Sequence, residues 1–138
     1  MERAFVDTDI LLDLLDRREP FYKSAAQLFS KADRKEITIL ISALSFTNAH
    51  YVLGKKYSNT ESRKALTRIK ALIQIANVGE KAVELALASN FTDFEDGVQN
   101  YAAIENKASV IITRNLKDYR RSPLPVMTAE GFLKSLIS

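Results

Sequence analysis

The chain has 138 residues, of which 46% are hydrophobic and 27% charged, the balance of one folded domain. It has no Cys and one His, which excludes disulfides, zinc–thiolate centres, iron–sulfur clusters, Cys nucleophiles and metal sites with several His ligands. Twenty Lys and Arg against 17 Asp and Glu give a net charge of +3, a mild excess that permits a polyanionic partner without requiring one.

Short apolar strands alternate with helices along the chain. The first strand, residues 4–6, ends at Asp7 and leads into a helix that Thr8 or Asp9 can cap. Four further strands are predicted from apolar, mostly β-branched segments at residues 37–41, 75–78, 109–113 and 125–127. Six further helices are predicted from helical spacing or capping residues at 21–35, 42–53, 58–73, 80–88, 92–107 and 128–136.

This alternation predicts an α/β fold, a three-layer α/β/α arrangement around a mainly parallel sheet, in a single domain over residues 1–138. Ligands of such folds bind beyond the carboxyl ends of the strands. No signal peptide is visible, and the longest apolar-rich run, residues 37–46, is shorter than the ~20 residues that span a bilayer. We therefore expect a cytoplasmic protein without membrane association.

Two acids close the first strand. Asp7 follows the strand directly, and Asp9 lies two residues later at the mouth of the next helix. A carboxylate in this position is costly to desolvate unless hydrogen bonds or a cation compensate it. The pair is therefore either a set of cation ligands or a helix cap, and both readings stay open.

A second group of acids opens the helix at 92–107. Capping by Asp93 and Asp96, or by Thr92 and Glu95, accounts for part of this group. One cap needs only one or two acids, however, and three acids repel each other. At ~100° per residue, Asp93, Asp96 and Asn100 lie on one side of the helix. That polar stripe can face a cation.

Other polar residues follow the later strands. Residues 114–118 come directly after the strand at 109–113 and form either part of a site or a plain polar loop. Asn48 shares a helical stripe with Leu44 and Val52, so it is predicted to point inward, either as a core amide or helix–helix hydrogen bond or toward a site. His50 is predicted to be a packed residue and not a catalytic one.

The acids can meet at one edge of the sheet. If Asp7, Asp96 and residues 115–118 converge, the cluster contains carboxylates and amides without Cys or His. Oxygen donors of this kind are preferred by Mg²⁺ and Mn²⁺. Such an ion binds phosphate oxygens and can orient a water molecule for in-line attack.

Four segments carry a resemblance to the PIN domain, the fold of many small metal-dependent ribonucleases. They are residues 5–15, 42–49, 93–97 and 111–119, and the resemblance covers nearly the whole chain. In their order and spacing they are most similar to the VapC-like bacterial toxins. The resemblance implies an endoribonuclease that leaves 5′-phosphates, a small antitoxin that blocks its site, and a homodimer.

The resemblance also implies roles for individual residues. The family's first acid falls on Asp7 and its third on Asp96, while Asp9 stands where the family usually has Asn. Asn48 and Asn115 stand where the family usually has acids. We accordingly predict catalytic roles for Asp7, Asn48, Asp96, Asn115 and Asp118, metal binding by Asp7, Asp9, Asp93 and Asp96, and substrate contacts from Thr8, Arg114 and Lys117.

Basic residues form two clusters. One lies within residues 55–70 and is typical of an ordinary solvated helix face. The other borders the predicted site and contains Arg114, Lys117, Arg120 and Arg121. Lys and Arg contacts to phosphates supply affinity without reading sequence. Tyr57 or Tyr119 is predicted either to pack in the core or to stack on a base.

The main hypothesis is an endoribonuclease dependent on Mg²⁺ or Mn²⁺, the toxin of a type II toxin–antitoxin pair. The alternative, motivated by Asn48 and Asn115, is a PIN scaffold that binds RNA or a protein partner without cleaving. A phosphoacceptor receiver domain is disfavoured. The strand at 37–41 ends in Ser42 instead of Asp, and the strand at 109–113 is followed by Arg114 instead of Lys.

Overall fold

A computed structural model describes residues 1–137, so the last residue of the predicted domain, Ser138, lies outside the described part. The strands are β1 (Arg3–Val6), β2 (Thr38–Ser42), β3 (Gln74–Ala76), β4 (Val110–Ile112) and β5 (Val126–Met127). The helices are α1 (Thr8–Leu15), α2 (Tyr22–Asp33), α3 (Ala43–Leu53), α4 (Asn59–Lys70), α5 (Glu80–Leu87), α6 (Phe94–Glu105) and α7 (Ala129–Ser135). A 3-10 helix, Leu116–Tyr119, follows β4 in the segment that was predicted to be either part of a site or a plain polar loop.

The sheet has the strand order β3-β2-β1-β4-β5, and every neighbouring pair is parallel. β1 lies in the centre, with Phe5 opposite Leu40 of β2 on one side and opposite Ile111 of β4 on the other. The predicted α/β fold with a mainly parallel sheet is therefore confirmed, and the described sheet is parallel throughout.

Helices cover both faces of the sheet. Alternate strand residues point to opposite faces, so Val6, Ile41 and Ile112 join one core cluster while Phe5, Leu40 and Ile111 join another. The first cluster also contains residues of α1, α2, α3, α4 and α7, and the second contains residues of α6. Burial on both faces explains why the strands are continuous apolar runs instead of alternating ones.

Local capping places the helix starts. Asp7 is the N-cap of α1, and its carboxylate accepts a hydrogen bond from the Thr8 N–H. Of the caps predicted for this helix, Thr8 and Asp9 are wrong and the reading of Asp7 as a cap is confirmed, because the chain turns immediately after β1. Ser42 caps α3 and Ser58 caps α4 by accepting from a backbone N–H three residues on, as their sequence positions predicted.

The parallel arrangement brings several strand ends to one edge of the sheet. Asp7 after β1, Ser42 at the end of β2 and Thr113 after β4 are all buried at this edge. This is where ligands of open parallel sheets bind. No helix within residues 1–137 is long and apolar enough to cross a bilayer.

Candidate metal and active site

Asp7 is held by three hydrogen-bond donors. Its side chain accepts from the Thr8 N–H at 2.9 Å, from the Thr113 hydroxyl at 2.9 Å and from the Gln99 amide at 3.4 Å. These donors come from α1, from the segment after β4 and from α6. Among residues 1–137 no Lys or Arg forms an ion pair with Asp7, which is only 8% exposed. The carboxylate is thus fixed in direction without being neutralised.

Gln99 is the central member of this network and was missed by the sequence reasoning. It is fully buried, accepts from the Ser42 hydroxyl at 2.6 Å and donates to the Ser45 hydroxyl at 2.6 Å. The Thr8 hydroxyl, predicted to contact substrate, also donates to Ser45, at 2.8 Å. The only sequence signal for Gln99 is a polar residue that shares its helix face with Ala102 and Ala103 of α6.

Asp9 lies near Asp7, and only one of its two carboxylate oxygens accepts hydrogen bonds. Its Oδ2 accepts from the Arg114 N–H at 3.1 Å and from the Asn115 amide at 3.3 Å. Its Oδ1 is buried and has no hydrogen-bond partner within residues 1–137. Burial first, and then the charge of Asp7, raises the pKa of Asp9 to about 6. A buried carboxylate oxygen without a donor is suited to a cation.

Asp96, in the first turn of α6, is electrostatically coupled to the other acids. Burial raises its pKa to about 7, and the negative charges of Asp93, Asp7 and Asp118 add to that shift. Asp93 is the N-cap of α6, and its Oδ1 accepts from the Asp96 N–H at 3.2 Å. Asp93 therefore caps the helix, as one reading predicted, and also adds charge to the cluster.

Asn48 contacts an acid that was not among the predicted ligands. Its amide donates to Glu95 Oε1 at 2.9 Å, and burial, Asp93 and Asp7 together raise the pKa of Glu95. α3 buries Ser45, Ala49 and Leu53, whereas Asn48 is half-buried, so of the readings considered for Asn48 the helix–helix hydrogen bond is the one observed. Glu95 thus places a carboxylate beside this amide.

Arg114 is engaged within the protein. Its guanidinium forms two hydrogen bonds to Asp13, at 2.9 and 3.1 Å, and its Cζ lies 4.1 Å from the centre of the Phe21 ring. The Asp13 side chain is 1% exposed, and an unpaired charge there would be costly. The predicted substrate contact from Arg114 therefore competes with a buried ion pair, which positions the backbone N–H that reaches Asp9.

The 3-10 helix contributes the remaining predicted residues. Lys117 and Asp118 are exposed, and Asp118 is close enough for its charge to raise the pKa of Asp96. Tyr119 is fully buried and packs edge-to-face against Phe91, with ring centres 6.3 Å apart. Of the two roles considered for Tyr119, core packing is the one observed.

The donor set fits a magnesium-type ion that keeps most of its water. Within residues 1–137 no three acidic or histidine side chains are arranged to enclose a metal by themselves. Mg²⁺, however, is usually bound by one or two carboxylates together with water and substrate phosphate. The unpartnered Asp9 oxygen and the pKa values of Asp9 and Asp96, raised chiefly by burial, indicate carboxylates whose negative charge the protein compensates only in part.

Comparison with known proteins agrees with this architecture. A family model described as "PIN domain" matches residues 3–117. The chain belongs to the PIN domain family. "Ribonuclease VapC1" from Aquifex aeolicus (strain VF5) is 30% identical over 139 residues, which is 95% of this chain and 93% of that protein. Both the PIN domain and the VapC resemblance expected from the sequence are thereby confirmed.

Two solved structures share the PIN fold of this chain. A "Toxin-antitoxin complex from Klebsiella pneumoniae" matches with a TM-score of 0.68 at 24% identity, covering 91% of this chain and 97% of that one. FitAcB from Neisseria gonorrhoeae matches with a TM-score of 0.71 at 12% identity, covering 92% and 98%. At these identities the likeness concerns the fold alone.

The pKa shifts predict how the stability of the metal-free protein depends on pH. Folding raises the pKa of Asp9 and Asp96 from 3.8 to about 6 and about 7, so the folded state binds more protons than the unfolded state between these values. Stability therefore falls as pH rises through this window. In EDTA, the melting temperature should be higher by several degrees at pH 6 than at pH 8.

The matched control for this experiment is the double variant Asp9→Asn/Asp96→Asn. It removes both titrations, so most of the difference between the two melting temperatures should disappear. If the double variant keeps the full pH dependence of the wild type, the shifts do not arise from these two carboxyls.

The Gln99 network predicts a loss of both stability and metal affinity in Gln99→Met. The substitution keeps the volume but removes one hydrogen-bond partner from each of two buried serine hydroxyls and from Asp7. Denaturant unfolding should show a loss of about 1–3 kcal/mol, and Mn²⁺ affinity should fall by roughly 10–100-fold. The exposed Gln27→Met is the control and should change stability by less than about 0.5 kcal/mol. Wild-type stability and affinity in Gln99→Met would remove Gln99 from this role.

Proposed function

We propose that this PIN domain is an endoribonuclease that hydrolyses RNA phosphodiester bonds with the help of Mg²⁺ or Mn²⁺. The observation that carries the proposal is the group of carboxylates at the carboxyl edge of the sheet, where burial first, and then the charges of Asp93, Asp7 and Asp118, raise the pKa of Asp96. The relative named ribonuclease supports the reaction class. A divalent ion neutralises such a cluster and is attracted to the same phosphate that it activates.

Asp7 and Asp96 are the proposed metal ligands. Asp7 is suited to this role because its three donors fix the carboxylate before any ion arrives. When bound, Mg²⁺ supplies Lewis-acid stabilisation of phosphate charge and lowers the pKa of a coordinated water. Asp9, Asp93 and Asp118 accept hydrogen bonds from water at the site and orient it toward phosphorus.

Asn48 and Asn115, the two amides that stand where the family usually has acids, act through neighbouring carboxylates. Asn48 donates to Glu95, and Asn115 donates to Asp9. In this proposal each amide holds a carboxylate in place, and Glu95 supplies the negative charge that Asn48 lacks. This arrangement favours an active nuclease over the non-cleaving scaffold that the two amides would otherwise indicate.

The proposed biological role is that of a type II toxin in the cytoplasm, controlled by a small antitoxin that covers the acidic site. Its support is the curated relative named VapC1 and the toxin–antitoxin complex among the structures with this fold. The homodimer implied by the resemblance stays a prediction.

The proposed chemistry predicts the effect of Asp7→Asn and of Asp96→Asn. Each removes one charged ligand while keeping the side-chain shape, so RNA cleavage in Mg²⁺ should fall by more than about 100-fold. Cleavage is measured on end-labelled RNA oligonucleotides, with 5′-phosphate products identified by mass spectrometry. Asp33→Asn, an exposed substitution at the end of α2, should leave the rate unchanged.

Two results would contradict this assignment. Equal cleavage by Asp7→Asn would remove Asp7 from the mechanism. RNA binding by the wild type without cleavage in either Mg²⁺ or Mn²⁺ would favour the scaffold.

A further inference from the structure

An open groove leads away from the acidic cluster. It consists of two adjoining cavities, of about 580 and about 220 Å³, which share Asn90, Phe91, Arg120 and Arg121 in their walls. The smaller cavity extends to Asp93 and Asp118. The groove is therefore continuous with the site proposed above, and the larger cavity has the size of a typical ligand pocket.

The cations of the groove are available to a ligand. Lys117, Arg120 and Arg121 are exposed, and none of them forms an ion pair within residues 1–137. Arg121 follows Asp118 by three residues, so their Cα atoms are at most about 12 Å apart. Phosphates on either side of one held at the acidic cluster can therefore reach these side chains.

The groove also has a rigid aromatic wall. The Phe91 ring packs edge-to-face against both Tyr101 and Tyr119, with centre-to-centre distances of 6.3 Å in each case. Phe91 and Tyr101 are half-buried, so each ring is held by packing and still has exposed surface. A positive groove combined with fixed aromatic rings is the arrangement that binds single-stranded nucleic acid, because an unstacked base can lie on the ring.

A second basic surface provides the contrast. The cavity along α4 is lined by Arg63, Lys64 and Arg68 but by no aromatic residue and no acid of the proposed site. It offers the same charge without the aromatic wall and without continuity to the carboxylates. The two surfaces are therefore alike in charge and differ in the aromatic rings and carboxylates that adjoin them.

We propose that the groove binds a single-stranded segment of RNA adjacent to the phosphate that is cleaved. Arg120 and Arg121 contact its phosphates, and a base lies against the Phe91–Tyr101 wall. The inference rests on the proposed ribonuclease function, and it extends that function by naming the surface and the side chains along which the RNA lies.

The test measures RNA binding without cleavage, by fluorescence anisotropy of a labelled single-stranded oligonucleotide in EDTA over a series of salt concentrations. In Arg120→Gln/Arg121→Gln, the Kd should rise about tenfold. The plot of log affinity against log salt concentration should become less steep by about 1.4, since each phosphate contact to a single strand contributes ~0.7 to the steepness. Arg63→Gln/Arg68→Gln removes the same charge from α4 and should keep the wild-type slope.

Further arms of the test address conformation and the aromatic wall. A duplex of the same sequence should bind more weakly than the single strand and respond less to the groove variant. Phe91→Leu, which retains an apolar side chain and is checked for an intact melting transition, should weaken binding without changing the salt slope.

Several results would overturn the groove assignment. The first is that Arg120→Gln/Arg121→Gln keeps the wild-type affinity and salt slope, and the second is that the α4 control loses as much affinity as this groove variant. The third is that the duplex binds as tightly as the single strand, and the fourth is that the wild type does not bind RNA. Unchanged RNA binding combined with loss of binding to an acidic peptide would assign the groove to a protein partner. Because the assay needs no metal, a protein that binds through the groove but never cleaves would refute the proposed function and leave the groove supported.

Discussion

The burial of one carboxylate organises the functional edge of this protein. Asp7 ends the central strand, where an anion is costly unless hydrogen bonds replace its lost water. The three donors that do so belong to Thr8, Thr113 and Gln99, and Gln99 is fixed in turn by Ser42 and Ser45. Hydrogen bonds, made directly or through Gln99, thereby connect the Asp7 side chain to the ends of β1, β2 and β4 and to one face of α6. All of these donors are uncharged, so the site keeps its negative charge while it gains rigidity.

The neighbouring acids differ from Asp7 because the protein provides them with fewer hydrogen bonds or less compensation of their charge. Asp9 has a buried oxygen without a partner, and burial and acidic neighbours raise the pKa of Asp9 and of Asp96. Arg114 offsets only part of this charge, since its guanidinium is paired with the buried Asp13 and stacked on Phe21. Folding therefore concentrates acids at one edge and leaves them without a direct ion pair to a protein cation within residues 1–137. A divalent ion, and through it a phosphate, is the partner that such an edge favours.

The sequence predicts the framework of the fold better than the connections within the site. Apolar β-branched runs and local caps such as Ser58 are signals carried by neighbouring residues, so the strands and most helix starts are predictable. The Gln99–Ser45 and Arg114–Asp13 contacts join residues 54 and 101 positions apart, and no local pattern reports them. At ~100° per residue, the helical projection placed Asp93, Asp96 and Asn100 on one stripe and left Glu95 off it. Glu95 was therefore not a candidate ligand, although its carboxylate contacts Asn48 of α3.

The most direct test is anomalous diffraction from crystals of the protein soaked in Mn²⁺. The account predicts an anomalous peak with carboxylate oxygens of both Asp7 and Asp96 at about 2.1 Å, and water completing the coordination. A peak bound elsewhere in the acidic group without Asp7, or no peak at saturating Mn²⁺, would contradict the claim that this buried carboxylate anchors the metal.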